Sequence, residues 1–196
     1  FNPLDLEIYP DSNSNGSPEL AVLGENNDPA KSDKIEVRDL MTGNNVKSIW
    51  LGKGWQVLQQ ELLADHNGNG AEEVAILRVK NNDDAVNVMV RDTKTRQRLG
   101  SIGFDRNYPP THLLTLGDVN GNGADEVVVF GQRINGGNQK AQIKDSKTKA
   151  LIKTVFFDKN FPGQDVATCA DINGNGSEEL VLLGKRDRDG KLRAMA

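Results

Sequence analysis

An acidic, amide-rich turn occurs four times in this chain: DSNSNGSPEL from Asp11, DHNGNGAEEV from Asp65, DVNGNGADEV from Asp118 and DINGNGSEEL from Asp171. The copies lie 54, 53 and 53 residues apart. A fixed period of that length marks a series of equivalent supersecondary units. Other columns keep the same register. An aromatic stands ten residues ahead of each motif, at Phe1, Trp55, Tyr108 and Phe161. About twenty-seven residues after the motif comes D-x-x-T, at Asp39–Thr42, Asp92–Thr95 and Asp145–Thr148, and seven residues further a branched apolar residue, Val46, Leu99 or Ile152. The period is therefore a property of the whole chain.

Between these markers the segments read as strands. The runs ELAVLG, EVAILR, EVVVFG and ELVLLG follow the motifs and suit strands buried on both faces. Polar hairpins come next, NNDD at 81–84, INGG at 134–137 and RDG at 188–190. They lead into KIEVRD, VNVMVRD and AQIKD, whose period of two predicts one polar face. After D-x-x-T come NVKSIW, QRLGSIG and ALIKTVF, and the aromatic then opens a strand that runs into the next motif. No helix-period pattern competes. Four antiparallel strands in roughly 50 residues, repeated, is the arithmetic of a β-propeller blade. The fold class read here is all-β, a β-propeller of four-stranded antiparallel blades.

The D-x-N-x-N-G-x-x-E loop, the preceding aromatic and the following apolar strand resemble the FG-GAP repeat, also called VCBS-like, of integrin α-subunit-like proteins. The resemblance covers essentially all 196 residues. It implies that each loop joins the innermost strand of a blade to the second strand and binds calcium. The inner strands are then expected at 4–10, 57–64, 111–117 and 164–170, and the blades at 1–53, 54–107, 108–161 and 162–196. The last blade stops short of its D-x-x-T turn and lacks its outermost strand, which gives about 3.75 blades. The expectation is a piece of a larger propeller, or a ring completed by further blades or a second copy, with a compact four-bladed ring as the other option. A first residue that is not Met suggests a processed chain or one cut from something longer.

Calcium takes about six to eight oxygens, and alternate residues of a tight loop can supply them. The expected structural Ca2+ ligands are Asp11, Asn13, Asn15, Ser17 and Glu19 in the first loop and Asp65, Asn67, Asn69, Ala71 and Glu73 in the second. In the third they are Asp118, Asn120, Asn122, Ala124 and Glu126, and in the fourth Asp171, Asn173, Asn175, Ser177 and Glu179. Position seven contributes its carbonyl, and glycine at position six permits the sharp turn. The strongest calcium form of the family carries Asp at positions one, three, five and nine, whereas positions three and five are Asn here and nine is Glu. The first loop also has Ser14 where the others have Gly. Asp and Asn before Gly equally make turns that satisfy their own backbone without a metal. An EF-hand is excluded, because position twelve of the third loop is Val129 and no flanking helices are expected. A metal role predicts that millimolar calcium raises the melting temperature and that EDTA lowers it.

Composition narrows the partners. A net charge of −4 argues against nucleic acid, and no run approaches the ~18 apolar residues that cross a bilayer. The single Cys169 excludes an internal disulfide framework and reads as a buried small hydrophobe. His66, at position two of its loop, reads as exposed. NGS at 15–17 and 175–177 matches a glycosylation sequon inside the acidic loops and is discounted.

Two further sets of residues bear on function. Asp5, Gln59, His112 and Asp165 share one row near the start of the inner strands, where they could line a channel mouth and bind a small ligand or, as carboxylates, act as acid and base. A solvated rim is the plainer alternative. The aromatic column could stack on sugars, or could pack between blades as the family resemblance implies. Opposite the acidic turns, GKGW at 52–55, FDRNYPP at 104–110 and FDKNFPG at 157–163 pair a cation with an aromatic, which suits an anionic or carbohydrate ligand. The function expected is a calcium-stabilised, secreted or surface-exposed (or periplasmic) binding or adhesion module for carbohydrate or protein. The alternative is a propeller-fold polysaccharide lyase or hydrolase with its site at the channel mouth.

Overall fold

The computed structural model describes residues 1–28, 30–134, 136–186 and 188–195. Asn135 of the hairpin expected at 134–137, and Ala196 at the end of the fourth repeat, lie outside the described residues. The chain divides into two compact units, Phe1–Gly103 and Phe104–Ala196.

Every regular element among the described residues is a β-strand, as the period-two runs and the glycine-rich turns require. The first unit holds β1 (Asn2–Tyr9), β2 (Glu19–Glu25), β3 (Lys34–Asp39) and β4 (Asn45–Trp50) in one antiparallel sheet. A second sheet contains β5 (Trp55–Leu63), β6 (Glu73–Lys80), β7 (Val86–Asp92) and β8 (Arg98–Phe104). The other unit holds β9 (Pro110–Leu116), β10 (Glu126–Gln132), β11 (Gln139–Asp145) and β12 (Leu151–Phe157), again a meander in chain order. Its second sheet has three strands, β13 (Gly163–Cys169), β14 (Glu179–Lys185) and β15 (Leu192–Met195). The architecture is all-β, with four-stranded blades of the propeller type and a last one reduced to three strands. Among the described residues no helix is long and apolar enough to cross a membrane.

The inner strands end one residue earlier than the sequence suggests and begin one or two earlier. The residue before each motif aspartate already belongs to the loop. β6 and β10 are buried along most of their length, as their unbroken apolar runs predict. β7 departs from its expected polar face, because its first five residues are all buried. Its Asn87 is accommodated by accepting from Arg78 Nε at 3.0 Å and donating to the Ile102 carbonyl at 3.1 Å, so the polar atoms are paired and not left dry.

Each unit has an apolar cluster that joins its own two sheets. In the first, Leu23, Ile35, Val37 and Ile49 meet Val57, Val74, Ile76 and Met89. Gln60 crosses the same seam, wholly buried, with its amide donating to the Ala21 carbonyl at 3.0 Å and accepting from the Tyr9 hydroxyl at 3.3 Å. In the second unit Val128, Phe130, Ile143 and Phe157 meet Val166, Leu180 and Leu182, and the Gly163 N–H donates to Gln139 Oε1 at 2.7 Å. A side chain at Gly163 would run into Leu182, since a Cβ there would lie 2.6 Å from its Cδ1. Close approach of strand to side chain requires glycine at that point.

A β-bulge interrupts each inner strand near its start, between Pro3 and Asp5, Val57 and Gln59, Pro110 and His112, and Gly163 and Asp165. The residue just past each bulge is the one singled out as the channel-mouth row. A bulge re-aims the side chain that follows it, which is why this row stands apart from the regular alternation.

Candidate functional site

The four motif loops share one construction. The position-one carboxylate accepts backbone N–H groups across the turn: Asp65 takes Gly68 at 2.7 Å, Asn69 at 3.3 Å and Gly70 at 2.6 Å, and Asp118 takes the matching three. These bonds hold Asp65 and Asp118 below the usual carboxylate range. Positions four and six are both left-handed, with φ of 76° at Gly68 and 82° at Gly70. Ser14 adopts φ 63° at the same position four, at a steric cost glycine avoids.

The position-nine glutamate is fully buried in the first three loops (Glu19, Glu73, Glu126) and only half-buried in the fourth, at Glu179. One of its oxygens accepts a loop N–H, from His66 to Glu73 at 3.0 Å and from Val119 to Glu126 at 2.9 Å. Burial, together with Asp65 and Asp92 nearby, pushes Glu73 up to about 7, and burial likewise raises Glu126. His66, expected to be exposed, lies instead with its side chain 6% accessible and Nδ1 3.7 Å from Glu73. Cys169, expected to be buried, is half-exposed.

The sequence reading missed one member of this site. The D-x-x-T aspartate serves two ends at once. Its Oδ1 caps its own turn, accepting Thr42 N–H at 2.6 Å in Asp39, Thr95 N–H at 2.6 Å in Asp92 and Thr148 N–H at 2.5 Å in Asp145. Its Oδ2 accepts the loop amides: Asn13 and Asn15 donate to Asp39, Asn67 and Asn69 to Asp92, Asn120 and Asn122 to Asp145. Burial works to raise Asp145, but the donors from Thr148, Asn120 and Asn122 outweigh it and bring it to about 2. The constant offset between motif and D-x-x-T was the signal in the sequence.

In the second and third loops this donor set does not fit the expected calcium cage. A calcium ion needs converging oxygens. The Oδ1 of Asn67 accepts Asn69 N–H at 3.1 Å, and the Oδ1 of Asn69 accepts Ala71 N–H at 2.9 Å. Those contacts fix which way the amides face, because a flipped amide would set N–H against N–H. Nitrogen and not oxygen is thereby presented to Glu73 and Asp92. Position seven contributes its N–H to the Asn at position five in every loop, at Ser17, Ala71, Ala124 and Ser177.

In the channel-mouth row, His112 and Asp165 approach each other, while Asp5 and Gln59 bond to the neighbouring residues of β5. Asp5 Oδ2 accepts the Gln60 N–H at 2.7 Å, and Gln59 donates to Glu61 at 3.1 Å. Glu61, half-buried, is pushed up to about 7 by burial and by the charges of Glu7 and Asp5, and Glu7 is itself raised by burial and by Asp5. In the other unit His112 Nε2 lies 3.7 Å from Asp165 Oδ1.

The aromatic column is not a set of bare platforms. Each ring is covered by a cation of its own sheet: Lys34 over Phe1 at 5.0 Å, Arg78 over Trp55 at 4.0 Å, Lys140 over Tyr108 at 3.8 Å and Arg193 over Phe161 at 5.4 Å. Cation–π contact makes these rings part of the blade's own packing. Beside three of them lies a shallow depression at the end opposite the acidic turns. One, of about 350 Å³, includes Lys31, Lys53, Trp55 and Asn81. The second, of about 530 Å³, includes Asp105, Asn107, Tyr108 and Arg133. The third, of about 480 Å³, includes Lys159, Asn160, Phe161, Arg186 and Arg188. The last two rest on the same turn, with Asn107 N–H on Asp105 Oδ1 at 3.0 Å and Asn160 N–H on Asp158 Oδ1 at 2.9 Å.

No family model matches the chain, and no curated protein matches it. Several solved structures resemble it. Hydrazine synthase of Kuenenia stuttgartiensis is 15% identical over 98% of this chain and 53% of that one, with a TM-score of 0.59. The exotype rhamnogalacturonan lyase YesX is 16% identical over 97% of this chain and 40% of that one, with a TM-score of 0.53. The chain thus spans about half or less of the proteins it resembles, and at these identities the likeness shows the fold alone.

Proposed function

We propose that this chain is a repeat-built binding module, FG-GAP-like in its motif, that engages an anionic, hydroxyl-rich polymer such as an acidic glycan outside the cytoplasm. The observation that carries this reading is the recurrence of the depression. Three repeats each place an aromatic, an amide and a cation at the end of the sheet opposite the acidic turns. Lys53, Arg133, Lys159 and Arg188 are exposed there, and none has a carboxylate within ion-pair distance among the described residues. Asp105 is already neutralised by Lys140 at 2.6 Å. The net charge of −4 opposes a polyanion at long range, yet screening over a Debye length of about 8 Å leaves each local cation free to act. Several weak sites carried by one chain gain avidity without a deep pocket.

Affinity electrophoresis tests this. Gels containing polygalacturonate should retard the protein more than gels containing dextran, and the combined variant Lys53→Ala, Arg133→Ala, Lys159→Ala should lose most of that retardation. Equal migration in both gels would remove the proposal.

A second reading is favoured by one observation, the Glu61 carboxyl at about 7 beside Glu7 and Asp5. A group poised near neutrality suits general acid–base chemistry, and one of the similar folds belongs to a polysaccharide lyase. Under this reading polygalacturonate is cleaved to unsaturated products that absorb in the ultraviolet, and Glu61→Gln abolishes the rate while leaving retardation in the gel intact.

A further inference from the structure

We propose that the loops Asp65–Glu73 and Asp118–Glu126 are locked by side-chain amides and hold their shape without a metal ion. In each, three carboxylates belong to the loop and its neighbouring turn, and the question is what keeps them together. In the second loop the Asn67 amide donates to both Glu73 Oε1 and Asp92 Oδ2, and Asn69 donates again to Asp92. In the third, Asn120 donates to Glu126 at 2.5 Å and to Asp145 at 2.7 Å, and Asn122 donates to Asp145. The amide hydrogens lie between the acids, where a divalent cation would otherwise be needed. Hydrogen bonds to charged acceptors are the stronger kind, and Asp92 and Asp145, held below the usual carboxylate range, are such acceptors. They and the two glutamates are buried, and Asp65 and Asp118 are held by loop N–H groups.

The choice of residue at positions three and five decides the outcome. Aspartate there would add two acceptors to a site already full of them, and only a cation could hold the set. Asparagine supplies the donors instead. The inference is confined to these two loops for a structural reason. In the first, Glu19 Oε1 is buried with no hydrogen-bond partner, because Asn13 reaches only Asp39. The fourth loop has no D-x-x-T aspartate among the described residues, and its exposed Asn173 side-chain amide donates to Glu179.

The test uses the intact protein. Side-chain amide resonances of Asn67, Asn69, Asn120 and Asn122 should stay protected from exchange and unmoved between EDTA and 5 mM calcium, a concentration about fivefold above the weak range of extracellular calcium modules. Movement of those resonances on adding calcium would overturn the proposal. In the variant Asn67→Asp, Asn69→Asp the second loop should become metal-dependent, with a melting temperature below the wild type in EDTA and raised by about 3 °C or more in calcium. A variant as stable as the wild type in EDTA would also overturn it. If the variant does not fold, the wild-type resonances decide alone.

Discussion

Ser14 carries a conformational burden that its three counterparts do not. It sits at φ 63°, where Gly68, Gly121 and Gly174 have 76–77°, and a side chain in that region costs roughly 1 kcal/mol or more. The Ser14 N–H already donates to Asp11 at 2.6 Å, a bond that glycine would keep. Ser14→Gly should therefore stabilise the fold by about 0.5–1 kcal/mol, after subtracting the extra freedom of glycine in the unfolded chain. Chemical denaturation with unchanged slope would register it, and a loss of stability would count against the left-handed assignment. The residue pattern revealed the turn, its glycine at position six and the outlier at position four. It did not reveal that the amides face the acids with nitrogen, because that follows from a partner on another strand.

At the scale of the element, the D-x-x-T turn is the anchor of each acidic loop. Asp92 is 1% exposed and Asp145 wholly buried, each receiving two loop amides besides its own turn. Asp92→Ala or Asp145→Ala leaves buried donors without acceptors and should cost roughly 2–3 kcal/mol. Asn175→Ala, in the blade that has no such anchor among the described residues, should stay within about 0.5 kcal/mol. Equal losses in the two cases would contradict the anchoring role, and urea midpoints of the three variants would show it. Strand existence and order were legible because the apolar runs and turn residues repeat. The bulge before Asp5, Gln59, His112 and Asp165 was not, since one extra residue leaves no mark on a hydrophobicity pattern.

For the whole molecule, two groups of carboxyls pull the stability in opposite directions. Glu7, Glu61, Glu73 and Glu126 are raised from 4.5, with Glu61 and Glu73 at about 7. Folding favours their protonated form, so the stability they contribute is full below 4.5 and is lost as pH rises through about 7. Asp39, Asp92 and Asp145 are lowered from 3.8, and their contribution is lost as pH falls, through about 2 for Asp145. The melting temperature should accordingly be higher near pH 5 than near pH 8, and Glu61→Gln should flatten that decline by about 1 kcal/mol once solvent screening is allowed for. A flat profile between those values would show that these groups titrate normally. The fourfold period made the fold class readable across all 196 residues, whereas the ligand was not readable, because depressions form from residues on separate strands and turns.

Seven of the eight loop asparagines are followed directly by glycine, as in Asn67-Gly68-Asn69-Gly70. Asparagine is a thermolabile residue, and with no neighbouring side chain to hinder ring closure the next backbone nitrogen can attack it and expel ammonia. Water then opens the ring, and in the second and third loops each such event turns a donor into a negative charge facing Asp92 or Asp145. The hydrogen bonds from Gly68 and Gly70 to Asp65 restrain the attacking nitrogens, so the same turns that shape the blades also set the pace at which the protein ages.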